Sequence, residues 1–187
     1  MQEHSKEQIE GTMTCFTSLE HVVLKGASGA DLSPLQHAPL LKHLKIDGAL
    51  KDMTPLVLFT ALADLDLIGL SVWKDSTHRD QELKVVATLT RLERLLCPCC
   101  EIDSVYDNWD SCISVLGALS ALTDLNVRWV RVSHVGIRHL AAFPRPRKCA
   151  LLLGGPAMID NIKVWRVLGA MTNLVALELR EAAIMAV

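Results

Sequence analysis

Cys97-Pro98-Cys99-Cys100 holds three of the chain's six cysteines and is its most direct offer of metal or thiol chemistry. Structural zinc needs four ligands, usually in two spaced pairs. The second pair is missing, because Cys112 and the nearest histidine, His78, stand far away in sequence. Cysteine is among the most buried residue types, so packing is the expected role of Cys97 and Cys100. An outward-pointing Cys99 is the one candidate redox-sensitive thiol. His21, His43 and Asp64 could converge as metal ligands or as an acid–base set. Carried in a single row on strands, however, they offer a flat surface without an enclosing pocket. The chain contains no Gly-x-Ser-x-Gly, no P-loop and no His-Glu-x-x-His. Gly154-Gly155-Pro156 is too little for a phosphate loop, and Arg145, Arg147 and Lys148 read as a solvated basic loop rather than an anion site. No catalytic residue, metal or cofactor is expected.

Composition narrows the class further. Of 187 residues, 50% are hydrophobic and 21% charged, which excludes a disordered chain of low hydrophobicity and high net charge. A formal net charge of -2 lacks the basic excess of a general nucleic-acid binder. No stretch of about 18 apolar residues offers a transmembrane helix. The opening Met1-Gln2-Glu3-His4-Ser5-Lys6-Glu7 is too polar for a secretory signal. The cysteine spacing makes a poor disulfide framework, so an intracellular, cytoplasmic setting is expected. Neither nucleic acid nor membrane is an expected partner.

Positioning these residues falls to a repeat. Apolar residues spaced x-x and then x recur as Leu19-Val22-Leu24, Leu41-Leu44-Ile46, Leu62-Leu65-Leu67, Leu92-Leu95-Cys97, Leu122-Leu125-Val127 and Leu174-Leu177-Leu179. A weaker copy, Lys148-Leu151-Leu153, falls between the last two. The middle anchors are 22, 21, 30, 30, 26 and 26 residues apart. Upstream, apolar residues continue at every third position, as in Met53, Leu56, Phe59, Leu62 and in Trp165, Leu168, Met171, Leu174. Period three predicts a helix or 3₁₀ turn with one buried face. Apolar-x-apolar predicts a short strand. One unit cannot bury its apolar face alone, and seven stacked units make a continuous core. Before Leu151 the pattern breaks. His139, Ala142, Arg145 and Lys148 would be the helical positions, and Pro144 and Pro146 stand among them. The helix is therefore expected to end by about Phe143, ahead of an extended Arg145-Pro146-Arg147. Inserts at about 71–82 and 101–112 read as loops, which often carry function.

The pattern resembles the leucine-rich repeat family, L-x-x-L-x-L, over roughly residues 13–184. Asp31-Leu32-Ser33-Pro34-Leu35 and Asp52-Met53-Thr54-Pro55-Leu56 lie 21 residues apart and are similar to the short repeats of internalin-like proteins. The longer units are closer in length to the ribonuclease-inhibitor type. The resemblance implies an α/β solenoid, a horseshoe of about seven helix–strand units over residues 13–187 with a parallel concave sheet. Residues 1–12 are expected to form a polar N-terminal cap or tail. The family's capping Asn or Cys would fall at Ala27, Ala49, Leu70, Cys100, Val130, Pro156 and Ala182. Only Cys100 matches, so the usual capping ladder is expected to be absent or replaced.

On that implied concave face the residues flanking the anchors point outward in columns. The first reads His21, His43, Asp64, Arg94, Asp124, Ala150, Ala176, and the second Val23, Lys45, Asp66, Leu96, Asn126, Leu152, Glu178. The third reads Lys25, Asp47, Ile68, Pro98, Arg128, Gly154, Arg180. With strands about 4.8 Å apart, His43 faces Asp64, Lys45 faces Asp66, Lys25 faces Asp47, and Arg94 sits between Asp64 and Asp124. Such a strip is a charge-paired solvated face, a recognition surface, or both. Leu96, Pro98, Leu152 and Gly154 make it less polar, and Trp129 lies at the edge of the fifth strand. The expected partner-binding residues are His43, Lys45, Asp64, Asp66, Arg94, Asn126, Arg128 and Trp129. The expected function is a non-catalytic protein–protein interaction scaffold. Two alternatives stand beside it. One is a substrate-recognition arm of a ubiquitin-ligase or phosphatase complex, which the resemblance permits. The other is a structural subunit, a homo-oligomer or part of a larger assembly, stacking through the apolar Ala182–Val187 end.

Overall fold

The computed structural model describes residues 16–68, 76–97, 110–153 and 161–181. Seven strands, β1 (His21–Ala30), β2 (His43–Leu50), β3 (Asp64–Ile68), β4 (Arg94–Leu96), β5 (Asp124–Val132), β6 (Lys148–Leu153) and β7 (Ala176–Glu181), form one sheet in chain order. All six pairings are parallel. The returns are filled by 3₁₀ helices at Ser33–His37 and Thr54–Leu58 and by α1 (Ser76–Ala87), α2 (Asp110–Leu116), α3 (His134–Leu140) and α4 (Ile162–Gly169). The architecture is the expected α/β solenoid of helix–strand units stacked on one parallel sheet. The polar segment 1–12, Pro98, Cys99, Cys100, Gly154 and the apolar end 182–187 lie outside the described residues.

One backbone device repeats at every strand entry. The carbonyl before a strand accepts two N–H groups from the next unit. Glu20 O takes Lys42 N (2.9 Å) and His43 N (3.0 Å), and Lys42 O takes Ala63 N and Asp64 N. Ala63, Glu93, Thr123 and Arg147 continue the series up to Val175 N and Ala176 N. The turn before every entry but that of β6 is closed by a bond three residues back, such as Leu62 N to Phe59 O at 2.9 Å. This 3₁₀-type spacing is why apolar residues recur at every third position. In the third unit Met53, Leu56, Phe59, Leu62, Leu65 and Leu67 are each at most 1% exposed, worth about 1.5–3 kcal/mol apiece relative to exposure. Strands repeat at about 4.8 Å, whereas an α-helix is about 10 Å across. The wider helical layer forces the sheet onto the inner, concave side.

The short units open their returns with aspartate. Asp31 Oδ1 accepts from Ser33 N (2.8 Å) and Asp52 Oδ1 from Thr54 N (2.8 Å) and Thr54 Oγ1 (2.7 Å). These turns lead into Pro34 and Pro55 in the first turn of each 3₁₀ helix, where a missing N–H costs nothing. In the long units a buried carboxylate does related work. Asp110 opens α2 and accepts from Ser133 N (2.9 Å) and from Ser133 Oγ. Ser133 in turn caps α3 by accepting from Val135 N at 3.0 Å.

The sixth unit corrects the sequence register by two residues. Cys149, not Leu151, pairs with Leu125 and Leu177, and Leu151 pairs with Val127 and Leu179. The unit therefore reads Pro146-Cys149-Leu151, and the anchor spacings become 24 and 28 residues rather than 26 and 26. In this frame Ile137, Leu140, Phe143 and Pro146 are the every-third-residue positions, and all four are buried. The unit is intact. Pro146 supplies an apolar ring where other units place leucine and forgoes only the turn-closing N–H. The helix ends at Leu140, and residues 145–147 lie in neither helix nor strand, ahead of β6.

Two further expectations change. Trp165 is 45% exposed and Val164 is fully buried, because α4 is a true α-helix whose buried face steps by four to Leu168. The stretch 71–82 is only in part a loop, since α1 begins at Ser76. Among the described residues no helix is long and apolar enough to cross a membrane.

Burial, and next the charge of Asp124, push the Cys149 thiol up to about 12. A maleimide at neutral pH is expected to leave Cys149 unmodified in the folded chain and to label it in urea, as read by peptide mass mapping. Labelling of native Cys149 would reinstate the unshifted register.

Candidate functional site

Alternation along a strand places every second side chain on the open face. The observed pairing aligns these side chains across the sheet. The first column reads His21, His43, Asp64, Arg94, Asp124, Lys148, Ala176, and the second Val23, Lys45, Asp66, Leu96, Asn126, Ala150, Glu178. Lys148 and Ala150 thus replace the expected Ala150 and Leu152. The less polar character assigned to the sixth unit gives way to a cation at the head of the strand.

Asp64 is the hub. Arg94 Nε donates to Asp64 Oδ1 at 2.9 Å and a terminal guanidinium nitrogen donates to Oδ2, a two-pronged grip. From the other side His43 Nδ1 lies 3.3 Å from Oδ2. A carboxylate acceptor calls for the proton on Nδ1. The Asp64 side chain is only 13% exposed. Burial works to raise its carboxyl, but the hydrogen bonds from Arg94 and His43, with the Arg94 charge, outweigh burial and hold it below the ordinary range. The same contact, the Asp64 hydrogen bond first, raises the Arg94 guanidinium against its own burial.

The row extends in both directions. The His43 ring stacks on His21, with centroids 4.2 Å apart and planes 2° from parallel. Beside it Lys45 Nζ donates to Asp66 Oδ2 at 2.9 Å. Asp66 Oδ1 and Asn126 Oδ1 are covered side-chain oxygens without a hydrogen-bond partner among the described residues, one on each side of Leu96 in the second column. At the other end Lys148 Nζ stands 4.0 Å from Asp124 Oδ2. An open groove of about 500 Å³ follows the strand entries from His43 to Val175 and takes in Arg94, Asp124, Arg147 and Lys148. A second groove of about 310 Å³ lies over β1–β3, along His21, Val23 and Lys45. His43, Asp64 and Arg94 belong to both.

Of the residues expected from sequence, His43, Lys45, Asp64, Asp66 and Arg94 come together as one connected charged patch, with Asn126 two strands beyond Asp66. Arg128 and Trp129 lie in β5, where pairing with β6 breaks between Val127 and Arg131. That break removes Arg128 from the third column, and the side chains of both residues lie outside the described part. Sequence reasoning missed the histidine stack and the place of Arg147, Lys148 and Val175 in the groove. The available signal was a buried proline and cysteine standing in for leucines. No group of three or more His, Cys, Asp or Glu is placed to hold a metal among the described residues. The arrangement presents fixed charges and hydrogen-bonding groups on an open surface.

No family model matches the chain, and no curated protein matches it. Among solved structures, the chain is similar to an internalin of Listeria monocytogenes at 18% sequence identity and a TM-score of 0.48. The likeness covers 90% of this chain and 51% of that one, so the chain spans about half the length of that structure.

Because the Asp64 carboxyl is lowered by folding, its contribution is fully present above the ordinary value of 3.8 and is lost as pH falls through the lower folded value. Asp64→Asn is expected to cost about 1–2 kcal/mol in urea unfolding at neutral pH. The gap to wild type should close as pH is taken below 3.8. A gap that stays constant with pH would show that the ion pairs are not its source.

Proposed function

We propose that this chain is a non-catalytic protein-binding scaffold, working in an intracellular setting, whose partner lies on the concave strand face. The observation that carries the reading is the first column. Charged or imidazole groups from six successive strands lie side by side along two open grooves, held in place by the sheet and by each other. Side chains ordered in advance lose little freedom on binding, so contacts from several strands add without a large entropic penalty. His43, Lys45, Asp64, Asp66 and Arg94 are the proposed centre of contact, with Asn126, Arg128 and Trp129 on its far side. Arginine and tryptophan suit such a role because they combine large contact area with directed polar groups.

A second reading has its own observation. Leu174, Leu177 and Leu179 around β7 stay only half-buried while their equivalents in inner units are closed. A neighbouring surface over β7 would complete their burial and make the chain a structural subunit of an assembly. A recognition arm of a ubiquitin-ligase or phosphatase complex is a narrower form of the scaffold proposal.

A photo-crosslinking residue placed at Val23 or at Val175, exposed by 55% and 73%, is expected to capture a partner in a cell extract. The same residue at Lys84 on α1 is expected to capture none. Capture through Lys84 alone would move the binding surface to the helical layer and end the concave-face reading.

A further inference from the structure

We infer that the end of the larger groove, over β6 and β7, takes a segment of a partner protein that carries a single acidic residue between apolar ones, its carboxylate against Arg147 and Lys148 and an apolar residue against Val175. The inference rests on the scaffold reading and names the chemistry of the partner.

Most charges of this face are already satisfied within the chain. Lys42 pairs with Glu20 at 2.9 Å, Lys45 with Asp66 at 2.9 Å, and Arg94 grips Asp64 with two nitrogens. A foreign ion would have to break those contacts. The entry of β6 differs. Lys148 reaches Asp124 only at 4.0 Å and its side chain is 64% exposed. Arg147, the residue before it, lines the same groove, is exposed and makes no ion pair among the described residues. Across the sheet Lys148 faces Ala176, not an acid. Along the first column negative and positive groups alternate from Asp64 through Arg94 and Asp124 to Lys148. At β7 the alternation stops, and Val175, 73% exposed, forms the groove wall.

A carboxylate seated on the β7 side of Lys148 continues the alternation and meets both cations. An apolar neighbour covers Val175. The remaining acids select against a continuous polyanion. Asp124 lies one strand from Lys148 and Glu93 lines the groove one strand further on, so a phosphate backbone running along the groove would meet both. An isolated acidic residue between apolar ones avoids them.

The test is selection of a random peptide library on the full chain. Selected peptides are then remeasured by fluorescence anisotropy on wild type, Arg147→Glu/Lys148→Glu and a control, Lys163→Glu, exposed on α4 away from both grooves. The first variant changes two exposed side chains, and its melting temperature is expected to match wild type, so lost binding reads as a lost contact. The expected peptides carry Asp or Glu beside Leu, Ile, Val or Phe. They should bind Arg147→Glu/Lys148→Glu at least about 10-fold more weakly, bind Lys163→Glu as they bind wild type, and weaken as salt rises. Failure to select any peptide, peptides without acidic enrichment, or equal binding to the double variant overturns the inference. So does a single-stranded oligonucleotide that competes with equal affinity. Selected peptides that bind the double variant as they bind wild type and cross-link through Val23 overturn the inference and leave the scaffold reading standing on other strands. Peptides indifferent to both variants and cross-linked through Lys84 would remove the scaffold reading as well.

Discussion

Each strand of this protein is placed by a carbonyl that accepts two N–H groups from the unit that follows. The contact belongs to the backbone, so it is indifferent to which side chain stands at the position. Glu20, Lys42, Ala63, Glu93, Thr123 and Arg147 all serve. It sets where each strand begins relative to its neighbour. Since side chains alternate faces along a strand, it thereby decides which residues reach the core and which reach the open face. The leucine anchors, the columns of charge and the grooves between them all inherit their alignment from it.

The open face converts that alignment into a fixed electrostatic pattern. Exposed ion pairs stabilise a fold by only about 0–1 kcal/mol each, so this strip is not what keeps the chain folded. Its consequence is geometric. Asp64 is mostly covered and held from both sides by His43 and Arg94, which restricts three side chains at once. The stacked His21 ring and the adjacent Lys45–Asp66 pair extend the ordered area across four strands, β1 to β4. A surface organised before contact is the physical basis for reading it as a recognition site. The same order marks the β6–β7 end as different, because there Lys148 reaches an acid only at 4.0 Å and Arg147 makes no ion pair among the described residues.

The two halves of the solenoid solve the turn problem differently. Short units return through 3₁₀ helices started by aspartate and proline, which fit close behind adjacent strands. Long units return through α-helices, which are wider, and Asp110 ties the start of α2 to the cap of α3. Both devices satisfy helix-end N–H groups that would otherwise lack partners.

The sequence by itself determined the repeat and the buried anchors of the four units that end in β2 to β5. The family resemblance carried by that spacing implied the parallel sheet, and a constant strand separation then gave the pairings His43–Asp64 and Lys45–Asp66. The sequence did not determine the sixth unit. Leu151 and Leu153 imitate the strand pattern, while the true entry residues, Pro146 and Cys149, do not look like leucines. Only pairing with β5 and β7 settled the frame, and with it the exposure of Lys148. The burial of Val164 in place of Trp165 also waited on the tertiary structure, since three-residue and four-residue steps share most of their positions. The histidine stack, the grip of Arg94 on Asp64 rather than Asp124, and the groove ending at Val175 depend on side-chain conformations across strands as many as 30 residues apart. Spacing along the chain carries no record of those choices, because they are made between units and not within them.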